Sequence, residues 1–257
     1  MKALSKLALS GVMISGLLLS ATPVFAEDGS SIRGKLETGT FCTTGLATLK
    51  TKLLSEFDKR KSEREAKRDE VGTKRSSDRS TWETKINAAR EVANTKRDAE
   101  FSALENKATT DTQKQAVALF VSTVKTAITT RRAAYDKARK AFQDGVDALV
   151  NSHKTQADSQ VASYRAAVVT AFTKAETSCA ADTTVLDIIS TLKTDLANAR
   201  KTFQDGRQAD TDFSGQIKTL EKTRKSAIEA ATKAFKETVE QARSTLKASW
   251  GTDSTDL

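Results

Sequence analysis

Proline, histidine and cysteine are almost missing from this chain. Among 257 residues there are one Pro, one His and two Cys, with 11 Gly and 5% aromatics. Each shortage excludes a class of protein. So few glycines and prolines cannot supply the turns of an all-β sandwich or barrel. One His and two Cys cannot build a zinc ribbon, a haem site or an iron–sulfur centre. Hydrophobic residues make up 38%, many of them alanine, which is thin for a core at this length. Charge is what the chain has in quantity: 42 Lys+Arg against 33 Asp+Glu, a net charge of +9.

The same shortages weigh against catalysis. His153 is the only imidazole, so any Ser–His–Asp or Cys–His arrangement would have to use it. It stands in a helical run with no glycine-rich elbow nearby, and reads as a surface or seam histidine. No P-loop, GxGxxG or HExxH is present. The chain therefore reads as a non-enzyme.

Residues 1–26 read as an export signal. Lys2 and Lys6 form the basic start, Leu7 to Leu19 an apolar run, and Val24 and Ala26 the small residues of a cleavage site. The run is shorter than the roughly 20 apolar residues of a spanning helix, and Gly11, Ser15 and Gly16 interrupt it. Cleavage before Glu27 would remove the only proline and lower the net charge from +9 to +7. The expected location is outside the cytoplasmic membrane: periplasmic, cell-surface or secreted. Cys42 and Cys179 then sit where disulfides form and persist.

Residues 27–42, rich in Gly, Ser and Thr, read as a flexible leader, and 251–257 as a frayed tail. Between them the apolar spacing predicts one elongated all-α domain with helices near 43–108, 111–179, 184–209 and 216–250. Leu46, Leu49, Leu53 and Phe57 open the first helix. Glu56–Arg79 is dominated by charge, with nine basic and seven acidic residues, and the stripe resumes at Trp82 with Ile86, Ala89, Ala93, Phe101, Leu104 and Ala108. Thr110 and Gln113 have the spacing of a capping box at the start of the second helix. That helix carries a heptad seam: Val117, Val121, Val124, Ile128, Arg131, Tyr135, Ala138, Phe142, continuing to Val168, Phe172 and Ala175.

A turn between Thr110 and Asp111 is equidistant in sequence from Cys42 and Cys179. Folding the first two helices back on each other brings the thiols together at the open end. A capping motif and a residue count thus agree on one disulfide, Cys42–Cys179. The predicted fold is a long antiparallel coiled-coil hairpin with arms of about 100 Å. The two shorter helices are expected to pack at its disulfide-closed base.

The chain also echoes itself. Thr130–Phe142 (TRRAAYDKARKAF) parallels Thr223–Phe235 (TRKSAIEAATKAF), and Ala138–Gly145 (ARKAFQDG) parallels Ala199–Gly206 (ARKTFQDG). Such echoes fit either an array of binding units or a duplicated helix-packing seam, and the second reading is preferred because alanine-rich helices converge easily.

Two candidate binding sites stand out. Asp210–Glu221 fits the twelve-residue calcium loop of EF-hands, with Asp210, Asp212 and Ser214 at positions 1, 3 and 5, Gly215 at 6, Gln216 at 7 and Glu221 at 12. The competing reading is a turn in which Asp212 or Ser214 caps the fourth helix. The second site is the basic run Lys125–Lys140, with Lys125, Arg131, Arg132, Lys137, Arg139 and Lys140 against one acid, Asp136. It could hold nucleic acid or an anionic envelope polymer. Only Tyr135 is near for base stacking, and a solvated helix face competes with it.

Phe41–Thr43, the Lys/Arg/Glu-rich first helix, Lys114–Val117, Thr130–Arg132 and Phe142–Val146 together resemble a group of exported helical proteins of small-genomed candidate-phylum bacteria. That group carries no assigned activity, so the resemblance implies only an exported helical protein. From the residues themselves, the leading expectation is a structural or adaptor element at the cell envelope. Polyanion binding and calcium binding follow as alternatives. The partner classes are a protein or envelope polymer, nucleic acid, or a second copy of the chain.

Overall fold

The computed structural model describes residues 38–181, 183–208 and 212–250. The export signal, residues 27–37, the tail and Asp210 lie outside the described residues. Those described are almost all helical, with no strand among them. After a short lead-in come α1 (Leu46–Lys107), α2 (Asp111–Ala180), α3 (Val185–Gln208) and α4 (Phe213–Trp250). These limits lie within a few residues of those the periodicity predicts.

The lead-in differs from the flexible leader expected up to residue 42. Thr38–Thr40 is already helical, and Phe41–Gly45 forms a π-helical turn. Two anchors explain this. The Phe41 side chain is buried, and Cys42 is covalently held. Gly45 leaves room for the Phe41 ring, which lies about where a Cβ would make tight contact.

Local chemistry sets the helix starts. At α2, the Gln113 Oε1 accepts bonds from the backbone N–H groups of Thr109 and Thr110, and the Gln113 N–H donates to Thr110 Oγ1. This is the reciprocal capping the sequence predicts. At α3, Thr184 donates its hydroxyl to the Asp187 carboxylate and accepts the Asp187 N–H.

Contacts divide the chain into two compact units. The first holds the described residues up to Ser80 together with Ser159–Gly206. Its core joins Phe41 and Leu46 to Val168, Ala171, Phe172 and Ala175 of α2 and to Ile188 and Leu192 of α3. The Cys42–Cys179 disulfide closes this unit, with Cα atoms 5.8 Å apart. Phe57 meets Tyr164 edge-on, and Tyr164 stacks on Phe203, each pair 5.1 Å between ring centres.

The second unit holds Thr81–Asp158 and the described residues from Arg207 onward. Phe101 and Ala108 of α1, Val117, Val121, Val124 and Ile128 of α2, and Leu246 of α4 form its core. Phe235, Val239 and Trp250 of α4 pack against them.

One placement differs from the sequence reading. α3 packs beside the disulfide as expected, but α4 does not join it there. It packs in the second unit, on the segments nearest the α1–α2 turn. A bare two-helix arm would leave one side of Phe101, Val117, Val121 and Val124 in water. The apolar stripe of α4 covers them, and the area removed from water decides the placement.

Candidate functional site

The chemistry-bearing side chains gather along the helix seams, chiefly in the second unit. On α1 the inward-facing positions there are Trp82, Ile86, Arg90, Asn94, Arg97 and Phe101, each partly or fully buried. Ala89 and Ala93, expected on the stripe, are exposed. The seam therefore passes through two arginines. Their long apolar stems can lie along a packed surface while the guanidinium reaches a polar partner. Sequence reading by apolar spacing misses this, because it counts alanine as core and arginine as surface.

Across the seam stands Asp136. Arg90 donates to both its carboxylate oxygens, at 3.0 and 2.7 Å, and Arg139 approaches it at 3.1 Å. The Arg90 hydrogen bond holds the Asp136 carboxyl below its usual range, helped by the charges of Arg90, Arg139 and Arg132 and opposed by partial burial. Arg132 is placed differently. Among the described residues its polar contact is a long one, 3.5 Å from Nη2 to the Arg90 carbonyl oxygen. Burial, and then the charges of Arg97, Arg90 and Arg131, weaken its hold on its proton, with Glu91 acting in the opposite sense.

The remaining predicted polyanion residues are mostly engaged as well. Lys125 pairs with Asp98 at 3.1 Å and lies over the Phe101 ring. Arg131 lies over Phe235 at 3.8 Å, and Arg139 over Trp82 at 4.7 Å. Lys140 pairs with Asp144 at 3.0 Å within its own helix. Lys137 is exposed. The broad basic face expected over Lys125–Lys140 is thus largely spent in ion pairs and ring contacts.

The sequence repeats turn out to be a packing code. Arg131 lies over Phe235, and Arg224 lies over Phe142 at 4.2 Å. Arg131 and Arg224 are equivalent positions of the longer repeat, as are Phe142 and Phe235. The two copies therefore pack antiparallel and exchange the same contact in both directions, as an isologous interface does between subunits. The shorter repeat behaves alike in both units. Ala138 and Ala199 are buried. Lys140–Asp144 and Lys201–Asp205 are paired one helical turn apart. Gly145 lets Leu220 approach to where a Cβ would stand within 2.8 Å, and the Gly206 carbonyl accepts a bond from Gln160 at 2.9 Å.

Each Arg–Phe contact should contribute about 0.5–1 kcal/mol. A double-mutant cycle on Arg131 and Phe235 measured by urea unfolding should show a coupling of that size, and so should one on Arg224 and Phe142. Zero coupling in both would reduce the reciprocity to coincidence.

The calcium reading meets a geometric obstacle. α4 is already helical from Phe213, so Asp212 and Glu221 lie about 13 Å apart along its axis. A calcium ion draws its oxygens to within about 2.6 Å. Asp212, Ser214, Gln216 and Glu221 do not converge in this conformation, and Asp210 lies outside the described residues. Two contacts favour the helical start. Phe213 meets the His153 ring edge-on at 4.6 Å, and the Asp212 carboxylate folds over Gly215, where any Cβ would collide with it. Millimolar calcium should accordingly leave the melting temperature unchanged. A calcium-dependent rise abolished by Glu221→Gln would show that the first turns of α4 unwind to form the loop.

Comparison with protein-family models, curated proteins and solved structures finds no match. Among the described residues, no helix is long and apolar enough to cross a membrane.

Proposed function

We propose that the chain is an exported, non-enzymatic structural or adaptor element of the cell envelope. The observation that carries this reading is the fate of the charged side chains. Arg90, Asp136, Arg139, Arg131, Arg224 and Lys125 pair with residues of neighbouring helices, on carboxylates or aromatic rings. Side chains that could do chemistry act here as packing elements. The disulfide adds a covalent clamp between the start of the helical chain and the end of α2. Such a molecule offers partners its helix faces. Leu119 and Leu186 are large apolar residues on those faces, 59% and 80% exposed.

The test is expression of the full chain in an export-competent cell, with photo-crosslinking residues placed at Leu119 and Leu186. The expected result is a mature N-terminus at Glu27, an oxidised Cys42–Cys179 pair, and a discrete crosslinked species in the envelope fraction. Unprocessed chain retained in the cytoplasm with reduced thiols would overturn the reading.

A further inference from the structure

We propose that the arginine layer of the second unit is a binding site for a single phosphate or sulfate group, held by Arg132 with Arg90 and Arg97 beside it. This site is independent of the envelope role. Three observations lead to it. The first is position. Arg90, Asn94 and Arg97 take successive inward positions on α1, between Ile86 and Phe101, where the rest of the seam is apolar. A seam does not gather guanidinium groups without cost, since each half-buried cation loses hydration.

The second is the pairing. Both Nη atoms of Arg90 are spent on Asp136, and Arg97 donates to Asn94 Oδ1. Arg131 lies over the Phe235 ring. No carboxylate bonds to Arg132 among the described residues: it donates the long bond to the Arg90 carbonyl oxygen, and the charges of Arg97, Arg90 and Arg131 bear on it. The third is rigidity. Phe235 and the Asp136 carboxylate hold Arg131 and Arg90 in place, so the charges around Arg132, guanidinium groups of Arg97, Arg90 and Arg131 against the carboxylates of Glu91 and Asp136, are set before any ligand arrives.

The chemistry selects the ligand. A guanidinium presents a planar fork of N–H donors that matches two oxygens of one anion. One fork with further guanidinium charge nearby favours an anion carrying more than one charge and at least three acceptor oxygens. Phosphate and sulfate groups meet both conditions, whether free in solution or borne on a polymer. Arg132 is only partly buried, so such a group can approach from solvent.

Calorimetric titration of the folded full chain tests this, with inorganic pyrophosphate and heparin as probes and ionic strength held constant with chloride. The expected result is saturable binding that Arg132→Gln weakens by about tenfold or more, the loss expected for a charge-assisted hydrogen bond. Lys154→Gln removes the same charge from an exposed position outside the basic run and should leave affinity within about twofold. Binding of both probes assigns the site to the oxyanion itself. Binding of heparin alone, still lost in Arg132→Gln, assigns it to a polymer-borne group. Absence of binding by either probe, or equal weakening by both substitutions, overturns the proposal. If Arg132→Gln fails to fold, Arg132→Lys keeps the charge and removes the fork. Weakened binding then supports the site, and unchanged affinity overturns it.

Discussion

Reducing the Cys42–Cys179 bridge should cost the protein about 5 kcal/mol of unfolding free energy. The bridge joins residues 137 apart in sequence. In the chain-entropy model, the stabilisation from closing a loop grows with the logarithm of its length and reaches about 5 kcal/mol here. Reduction leaves the helices and their contacts in place. It releases the unfolded chain, which regains the freedom the crosslink withheld. The measurement is urea unfolding with and without reductant, with Cys42→Ser/Cys179→Ser as a control for reductant effects. Oxidised and reduced chains with coincident midpoints would show that the loop-entropy account does not apply here. The oxidised chain should also yield a Cys42–Cys179 linked peptide in a non-reduced digest.

Phe172→Ala should cost about 3–5 kcal/mol, the range for deleting a fully buried ring. Phe172 is 2% exposed, and Leu46, Val168 and Ile188 around it are as deeply buried. α1, α2 and α3 each supply part of that wall, so no single helix can shift to fill the cavity. The two tryptophans offer a way to localise the damage. Trp82 and Trp250 both belong to the second unit. Far-UV circular dichroism should lose part of its signal at lower urea in the variant, while tryptophan fluorescence keeps its transition. Phe142→Ala should cost less, because that ring is only partly buried under Arg224. A Phe172→Ala midpoint matching the parent would mean that this core does not hold the first unit together.

Much of the helix layout is local and could be read without coordinates. A capping box needs only Thr110 and Gln113 three residues apart, and those two side chains make the bonds that the spacing implies. The α2 stripe is local in the same sense. Val117, Val121, Val124, Ile128, Ala138, Val168, Phe172 and Ala175 fall on one face and are buried. The disulfide was legible because a hairpin with a known turn pairs residues equidistant from it, and Cys42 and Cys179 satisfy that condition.

The candidate sites were less legible. The twelve residues from Asp210 to Glu221 match a calcium loop by type and spacing, yet the same residues suit a capped helix start. Phe213 against His153 lies on the side of the helix, and that contact pairs positions 60 residues apart in sequence. The basic run Lys125–Lys140 looks like a solvated surface in one dimension. Its partners, Phe235, Trp82, Asp98 and Asp136, are supplied mostly by other helices, so the run alone does not reveal which charges remain available.

Composition and periodicity determined that this chain is helical, where its helices begin and end apart from the helical lead-in Thr38–Gly45, and which cysteines join. Those properties depend on neighbours within a few turns, or on counting along an antiparallel pair. Tertiary packing alone decided that α4 covers the second unit, that the repeats meet each other, and that the α1 seam runs through Arg90 and Arg97. Each of these is a choice between surfaces with similar local signals. The difference is set by the apolar area covered, and by whether a long side chain finds its partner on another helix.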